Sequence, residues 1–216
     1  MDSQTIIDGL IYYLELIILL TLHEYGHAWT AWRCGDDTAR LQGRVSLNPL
    51  VHIDPFGTVV LPLFMIFGSP TLSRFMVGYA KPVPVNPYNF AHPQRDDLLV
   101  TLAGPGMNLL LAFLLMALAR VGELIQVGDM VQICANMAYL SLILCFFNLI
   151  PIPPLDGSQV MRVLTNMSFE TYAKLSRFGF IAIILILQIP LVKEVLIGVT
   201  KGVFDLLAAI FGMHFV

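Results

Sequence analysis

The chain has 216 residues, of which 57% are hydrophobic and only 12% are charged, with a formal net charge of −3 at pH 7. A soluble domain carries about twice that charged fraction, so this composition and a mean hydropathy of +0.77 favour a polytopic helical protein in a lipid bilayer. The slightly acidic balance gives no reason to expect nucleic acid as a partner. We expect one all-α membrane domain, residues 1–216.

Apolar segments recur along the chain, and a helix needs about 20 such residues to cross a bilayer. We predict about four to six transmembrane helices. The clearest candidates cover about residues 6–32, 97–119, 129–150 and 175–191. A further segment, 195–215, is predicted either to cross the membrane or to lie at its surface, because charged residues occur near its start.

The stretch between the first two clear spans is not uniformly polar. Gly57 to Phe67 is apolar, but it is only 11 residues long and contains Pro62, which makes it too short to cross as a helix. Met76 to Val85 alternates small and apolar residues with prolines, which is typical of an extended edge segment. We predict a small β or re-entrant region here, associated with the membrane.

Residues 23–27 read His-Glu-Tyr-Gly-His near the end of the first predicted span. Histidines at i and i+4 lie on one face of a helix, about 6 Å apart along its axis, so both imidazoles can bind one zinc ion. Glu24 is placed to take a proton from a zinc-bound water. The motif predicts one Zn²⁺ per chain, with His23 and His27 as ligands and Glu24 as general base.

Asp156 is the candidate for the third ligand, since a catalytic zinc commonly has three protein ligands and a water. It follows Pro151, Pro153 and Pro154, which remove helical hydrogen bonds and unwind the end of the third clear span. Unwound backbone at this depth is tolerated where it lines a polar cavity or packs against protein. Asp156 could also be the N-cap of a helix over about 157–166, and one carboxylate can serve both roles.

The distribution of basic residues predicts an orientation. Half of the 12 lysines and arginines lie between the first and second clear spans: Arg33, Arg40, Arg44, Arg74, Lys81 and Arg95. By the positive-inside rule this region is cytoplasmic and the N-terminus is outside. For Asp156 to reach the histidines, the first and third clear spans must run in the same direction. The segment Gly57 to Phe67 should therefore not cross, as its length also indicates.

Four other polar residues have open roles. Asn148 could hold the substrate or the developing oxyanion, or it could satisfy carbonyls freed by the prolines. Asn108 is expected to form interhelical hydrogen bonds. His52 and Asp54 are more readily explained by a turn than by orientation of a catalytic water. No role is expected for the two remaining histidines, His92 and His214.

The motif at 23–27, paired with 148–157 in the form Asn-x-x-Pro-x-Pro-x-Leu-Asp-Gly, resembles the site-2 protease family of intramembrane zinc metalloproteases. Residues 48–55 and 103–108 also resemble segments of compact prokaryotic members without a PDZ or CBS domain. The resemblance covers about residues 15–165, and with it we expect a catalytic core over about 6–165, followed by C-terminal helices over about 170–216.

This resemblance implies hydrolysis of peptide bonds in transmembrane substrates near the cytoplasmic face. It also implies zinc bound by His23, His27 and Asp156, with Glu24 as base. The edge predicted within Met76 to Val85 could accept an extended substrate by strand addition.

Two other functions stay open at this point. A divalent-metal transporter would use buried histidines and carboxylates to pass the ion, but it should hold several ligand clusters along a path. An inactive relative that only binds transmembrane clients would have no need of Glu24.

Overall fold

The computed structural model describes residues 3–68 and 78–215, and these residues form helices, turns and irregular segments without a β-strand. The all-α prediction is confirmed. The chain divides into two compact units, Met1–Pro93 and Gln94–Val216. The assignment of the whole chain to one domain stays a prediction.

The first unit is built on a long helix, α1, Ser3–Arg33. This confirms the first predicted span. The elements that follow are α2 (Thr38–Leu41), a 3-10 turn (Pro49–Val51), a π-helical turn (Pro55–Val60) that continues into α3 (Leu61–Gly68), and a second 3-10 turn (Pro87–Asn89).

The apolar run after Asp54 is helical, and it is too short to cross a membrane, as predicted. The Asp54 carboxylate accepts hydrogen bonds from the backbone N–H groups of Phe56 and Gly57, and Pro55 occupies the first helical position, where it needs no N–H partner. A short apolar run does not by itself distinguish strand from helix. The predicted β region is not seen in residues 34–68 or 78–92; Met76 and Val77 lie outside the described residues.

Contacts of α3 and the π-helical turn hold them against α1. Ile66 is fully buried and lies against Gly9, where a side chain larger than hydrogen would touch it. The Tyr13 hydroxyl donates to the Thr58 carbonyl, 2.8 Å away. The short apolar helix is therefore fixed by packing and by a hydrogen bond to the long one.

The second unit contains six helices among its described residues. They are α4 (Pro93–Leu124), α5 (Gly128–Asn148), α6 (Asp156–Leu164), α7 (Phe169–Ser176), α8 (Gly179–Ile186) and α9 (Pro190–Ile210). α4 and α5 confirm the predicted spans 97–119 and 129–150, and α4 continues through Pro105.

The predicted span 175–191 is wrong as a single helix. The chain leaves the helical conformation between α7 and α8 and again before Pro190, and α8 is bent by 84° relative to α9. Gly179 approaches the Pro153 carbonyl so closely that a Cβ would clash with it. Three described helices are long and apolar enough to span a membrane, or four if the bent pair counts as one, which meets the predicted range at its lower end.

The core of the second unit lies between α4, α5 and α9. Small residues allow close helix approach, and larger apolar side chains fill the remaining space. Its buried members are Ala112, Met116, Ala119, Cys134, Ala135, Ala138, Leu142, Phe204, Leu207, Ala208 and Met213.

A buried ion pair joins α6 to the N-terminal part of α4. The Arg162 guanidinium donates to the Asp97 carboxylate, and the two side chains are only 7% and 13% exposed. Arg162 also lies over the Phe169 ring, 4.1 Å from its centroid. Removal of one partner would leave the other charge buried without compensation.

We predict that Asp97→Ala costs about 3–5 kcal/mol of stability, as expected when one partner of a buried ion pair is removed. The thermal midpoint in detergent, followed by circular dichroism, should fall by about 6 °C or more. Glu170→Ala is the control, because its pair with Lys174 is exposed and such pairs contribute little. Equal midpoints for the two variants would contradict the prediction.

Candidate metal centre

Two buried imidazoles face each other on α1. His23 and His27 are 4% and 8% exposed, their Nε2 atoms are 3.1 Å apart, and their rings meet edge to face. Two nitrogen ligands of a tetrahedral zinc, each about 2.0–2.1 Å from the ion, lie about 3.3 Å apart. The same distance suits an N–H···N hydrogen bond between neutral rings. The donor pair therefore fits zinc with little rearrangement.

Glu24 lies beside the pair and is half-buried. Its Oε2 accepts a hydrogen bond from the backbone N–H of Val83, at 3.1 Å. Arg33, the first basic residue after the motif, lies over the Trp29 ring. A carboxylate thus stands next to both candidate ligands and is held by the backbone of another segment.

Residues 78–85 pass this carboxylate without helix or strand, and alternate residues 79, 81 and 83 hydrogen-bond the rest of the first unit, which is the spacing of an extended chain. The Tyr79 N–H donates to the Gly57 carbonyl and the Tyr79 carbonyl accepts from the Thr58 hydroxyl. The Lys81 N–H donates to the His52 carbonyl, 2.8 Å away, and the Lys81 carbonyl accepts from the Arg44 guanidinium. One edge of the segment is therefore already hydrogen-bonded to the protein.

The opposite edge of this segment is poor in donors. Successive residues of an extended chain present their polar backbone groups to opposite sides, so the second edge belongs to Ala80, Pro82 and Pro84. Of these only Ala80 has an N–H. The prediction that the segment receives substrate by strand addition is therefore disfavoured by the pattern of its hydrogen bonds.

His52 and Asp54 form a structural turn. The buried His52 ring has its Nε2 2.8 Å from the Ser46 carbonyl, and Asp54 caps the helical turn that follows it. Burial lowers the pKa of His52, so the ring is neutral at pH 7 and Nε2 is the donor to Ser46. A cavity of about 10 Å³ beside this ring is lined also by Thr21 and Thr58. These contacts support the interpretation as a turn.

Asp156 lies in the second unit, at the first residue of α6. The prediction that it is an N-cap is wrong: the capping position is Leu155, whose extended backbone begins the helix. The chain between Asn148 and Asp156 is unwound, as the prolines predict. Gly157 passes so close to the Leu149 carbonyl that a Cβ would clash with it.

Side chains behind Asp156 anchor its helix. The Ser158 hydroxyl donates to the Leu155 carbonyl at 2.6 Å and lies 3.0 Å from the Tyr172 hydroxyl. The pair Arg162–Asp97 fixes the same helix one turn further on. Sequence reasoning missed this pair, because 65 positions separate the two residues and no local pattern links them.

The two candidate asparagines have structural contacts in the second unit. The Asn148 amide donates to the Leu144 carbonyl, 2.9 Å away in the same helix, and not to a carbonyl freed by the prolines. Asn108 is fully buried and joins α4 to α5, whereas the interhelical bond expected of its side chain stays a prediction. It does so through its backbone carbonyl, which accepts from the Ser141 hydroxyl at 2.8 Å.

The sequence is similar to those of a family of peptidases. The sequence profile described as "Peptidase family M50" matches residues 11–122 and 118–187. "Putative zinc metalloprotease YwhC" of Bacillus subtilis is 37% identical over 193 residues, covering 85% of this chain and 82% of its own length. "Putative zinc metalloprotease Rip2" of Mycobacterium tuberculosis is 32% identical over 197 residues, covering 88% and 71%. No solved structure matches.

We predict that the purified chain binds one equivalent of zinc and that His23→Ala or His27→Ala removes it, because each variant deletes one of two adjacent nitrogen donors. Metal content after dialysis, measured by mass spectrometry, tests this. His214→Ala is the control, since that ring is exposed near the C-terminus. Retention of a full equivalent of zinc in both α1 variants would exclude the pair as ligands.

Proposed function

The chain belongs to peptidase family M50, the site-2 family of zinc metalloproteases, and on this basis we propose that it hydrolyses a peptide bond of a transmembrane protein substrate near the cytoplasmic face. It is a multi-pass membrane protein and a metalloprotease. The observation that carries the proposal is the buried pair His23 and His27, with Glu24 beside it, on a helix apolar enough to span the bilayer.

Asp156 completes the zinc site in this proposal. A carboxylate oxygen with two imidazole nitrogens is a donor set of catalytic zinc sites, with the fourth position left for water. Its place after an unwound segment supports the role, because the carboxylate is the first side chain of a helix that the Arg162–Asp97 pair anchors. Zinc held by these residues would polarise the scissile carbonyl and make the attacking water more acidic.

The remaining steps belong to protein side chains. Glu24 accepts a proton from the attacking water and delivers it to the leaving amine. Asn148 contacts the substrate backbone or its developing oxyanion with the amide hydrogen that does not bond Leu144. Burial of His23 and His27 limits access of bulk water to the reacting groups.

The side chains at the end of α1 support a site near the headgroup region. Trp29 and Trp32 are exposed there, and Arg33 and Arg40 lie over their rings. Tryptophan and basic side chains together are typical of the headgroup region. His27 precedes Trp32 by five residues, or about 8 Å of helix. The excess of basic residues after α1 supports a cytoplasmic location for this end and an N-terminus outside.

Membership of a peptidase family disfavours the metal transporter, and the retained Glu24 disfavours an inactive relative. One substitution distinguishes the peptidase from the metal transporter and from the inactive relative. Glu24→Gln keeps the size and hydrogen-bonding capacity of the side chain but removes the base. A transporter would still move metal, and an inactive relative would still bind its clients.

We predict that Glu24→Gln lowers cleavage by at least about 100-fold, the lower end of a general base's contribution, while one equivalent of zinc is retained. The assay follows fragments of a single-span helical substrate co-reconstituted in liposomes. A zinc chelator should stop the wild-type reaction, and zinc should restore it. Cleavage by Glu24→Gln at the wild-type rate would contradict the assignment of the base.

A second prediction concerns the third ligand. Asp156→Ala should weaken zinc binding by more than about 100-fold, since loss of an outer-shell partner alone costs 10–100-fold. Zinc titration with a competing chelator measures this. Asp129→Ala is the control, because that carboxylate is exposed in the first turn of α5. If Asp156→Ala binds zinc as tightly as the wild type, another residue is the third ligand.

A further inference from the structure

Residues 78–85 offer the Glu24 carboxylate one backbone N–H donor, that of Val83. Pro82 and Pro84 have no N–H, so Val83 supplies the only backbone N–H between Lys81 and Val85. That N–H donates to Glu24 Oε2 at 3.1 Å. The two prolines also restrict the preceding residues to extended conformations, which favours the backbone geometry in which this donor is presented.

Lys81, which precedes Pro82, has both its backbone N–H and its backbone carbonyl hydrogen-bonded. The Lys81 N–H donates to the His52 carbonyl, and the Lys81 carbonyl accepts from the Arg44 guanidinium. His52 is in turn fixed by its contact with the Ser46 carbonyl. A continuous set of hydrogen bonds therefore runs from the loop 44–52 to Lys81, two residues from Val83.

Arg44 is a buried charged residue whose guanidinium donates to a neutral backbone carbonyl, that of Lys81. Its side chain is only 4% exposed, and burial of a guanidinium is costly unless the charge is compensated. Burial lowers the pKa of Arg44, and the nearby negative charge of Glu24 opposes that shift. A buried cation thus lies near the carboxylate and bonds the segment that holds it.

We infer that residues 78–85 position the catalytic base and that Arg44 is the positioning residue that holds this segment in place. The inference rests on the proposed function, in which Glu24 moves the proton. With Oε2 bonded to Val83, the carboxylate cannot rotate freely, and Oε1 is the oxygen that receives the proton. Proton transfer needs this oxygen within hydrogen-bond reach of the attacking water. A carboxylate that is held in one orientation reaches this geometry more often than one that rotates freely.

Hydrogen exchange of the Val83 amide tests the contact without any cleavage assay. The prolines help, because a fragment from Pro82 to Pro84 contains one exchangeable backbone amide. In the full-length zinc-loaded protein this amide should be protected. Glu24→Ala removes the acceptor and should speed exchange by about 10-fold or more, the equivalent of a hydrogen bond to a charged group. Glu24→Gln keeps an oxygen acceptor and should change the rate much less.

Arg44 is tested in the same experiment. Arg44→Gln should also speed exchange at Val83, and Arg44→Lys should restore part of the protection, since an ammonium group can still donate to a carbonyl. Arg40→Gln is the matched control, because Arg40 is four residues away, exposed, and paired with Asp37. An unprotected Val83 amide in the wild type, or protection that Glu24→Ala leaves unchanged, would overturn the inference.

Kinetics then separate positioning from folding. Arg44→Gln should lower kcat by about 10-fold or more, with KM and zinc content near the wild-type values, and Arg44→Lys should recover part of the loss. Wild-type kcat in Arg44→Gln, with Val83 still protected, would refute the role of Arg44 while the proposed protease function stands. Absence of wild-type cleavage would instead refute the proposed function, and the exchange rates would still report whether Val83 holds Glu24.

Discussion

Burial of polar groups on an apolar helix is the constraint on which the first unit depends. α1 buries His23 and His27 among residues such as Leu16, Leu19 and Ala28, and a buried polar group without partners is costly. The histidines partner each other, and the neighbouring carboxylate is partnered by a backbone N–H. That backbone is irregular, and backbone polar groups without a helix or sheet ladder need other hydrogen-bond partners. The hydrogen bonds of residues 78–85 to Arg44, His52, Gly57 and Thr58 follow from the same requirement.

Asp36 meets the same requirement just after the end of α1. It is fully buried and accepts hydrogen bonds from Thr38, from the backbone of Asn86 and from the Asn89 amide. Burial alone would raise its pKa, but these hydrogen bonds outweigh burial and hold the pKa below its ordinary value. Because they stabilise the ionised form, the carboxylate stays charged at neutral pH. One side chain thus ties the end of α1 to the chain beyond the extended segment, some 50 residues later.

Local signals in the sequence were sufficient for the long spans and for the histidine motif. α1, α4 and α5 are set by length and apolar content, and His23, Glu24 and His27 adjoin on one helix. The helical form of Pro55–Gly68 could not be predicted, because a short apolar run suits strand and helix alike. The break in the predicted span 175–191 depends on a close approach to the Pro153 backbone. The contacts of Glu24 with Val83 and of Arg162 with Asp97 join residues 59 and 65 positions apart, which no local pattern records.

Backbone packing explains why a glycine follows Asp156 at the start of α6. Prolines explain why the chain unwinds after α5, but not where it turns into α6. That position is set by backbone contact: the Leu149 carbonyl occupies the place where a Cβ of residue 157 would lie, and the Pro153 carbonyl does the same at residue 179. Glycine is the only residue without a Cβ, so each of these two contacts requires a glycine, one at residue 157 and one at residue 179. The first residue of α6 is thereby located by main-chain packing against the unwound segment. A larger residue at 157 would displace the Asp156 carboxylate without changing a single polar group near it.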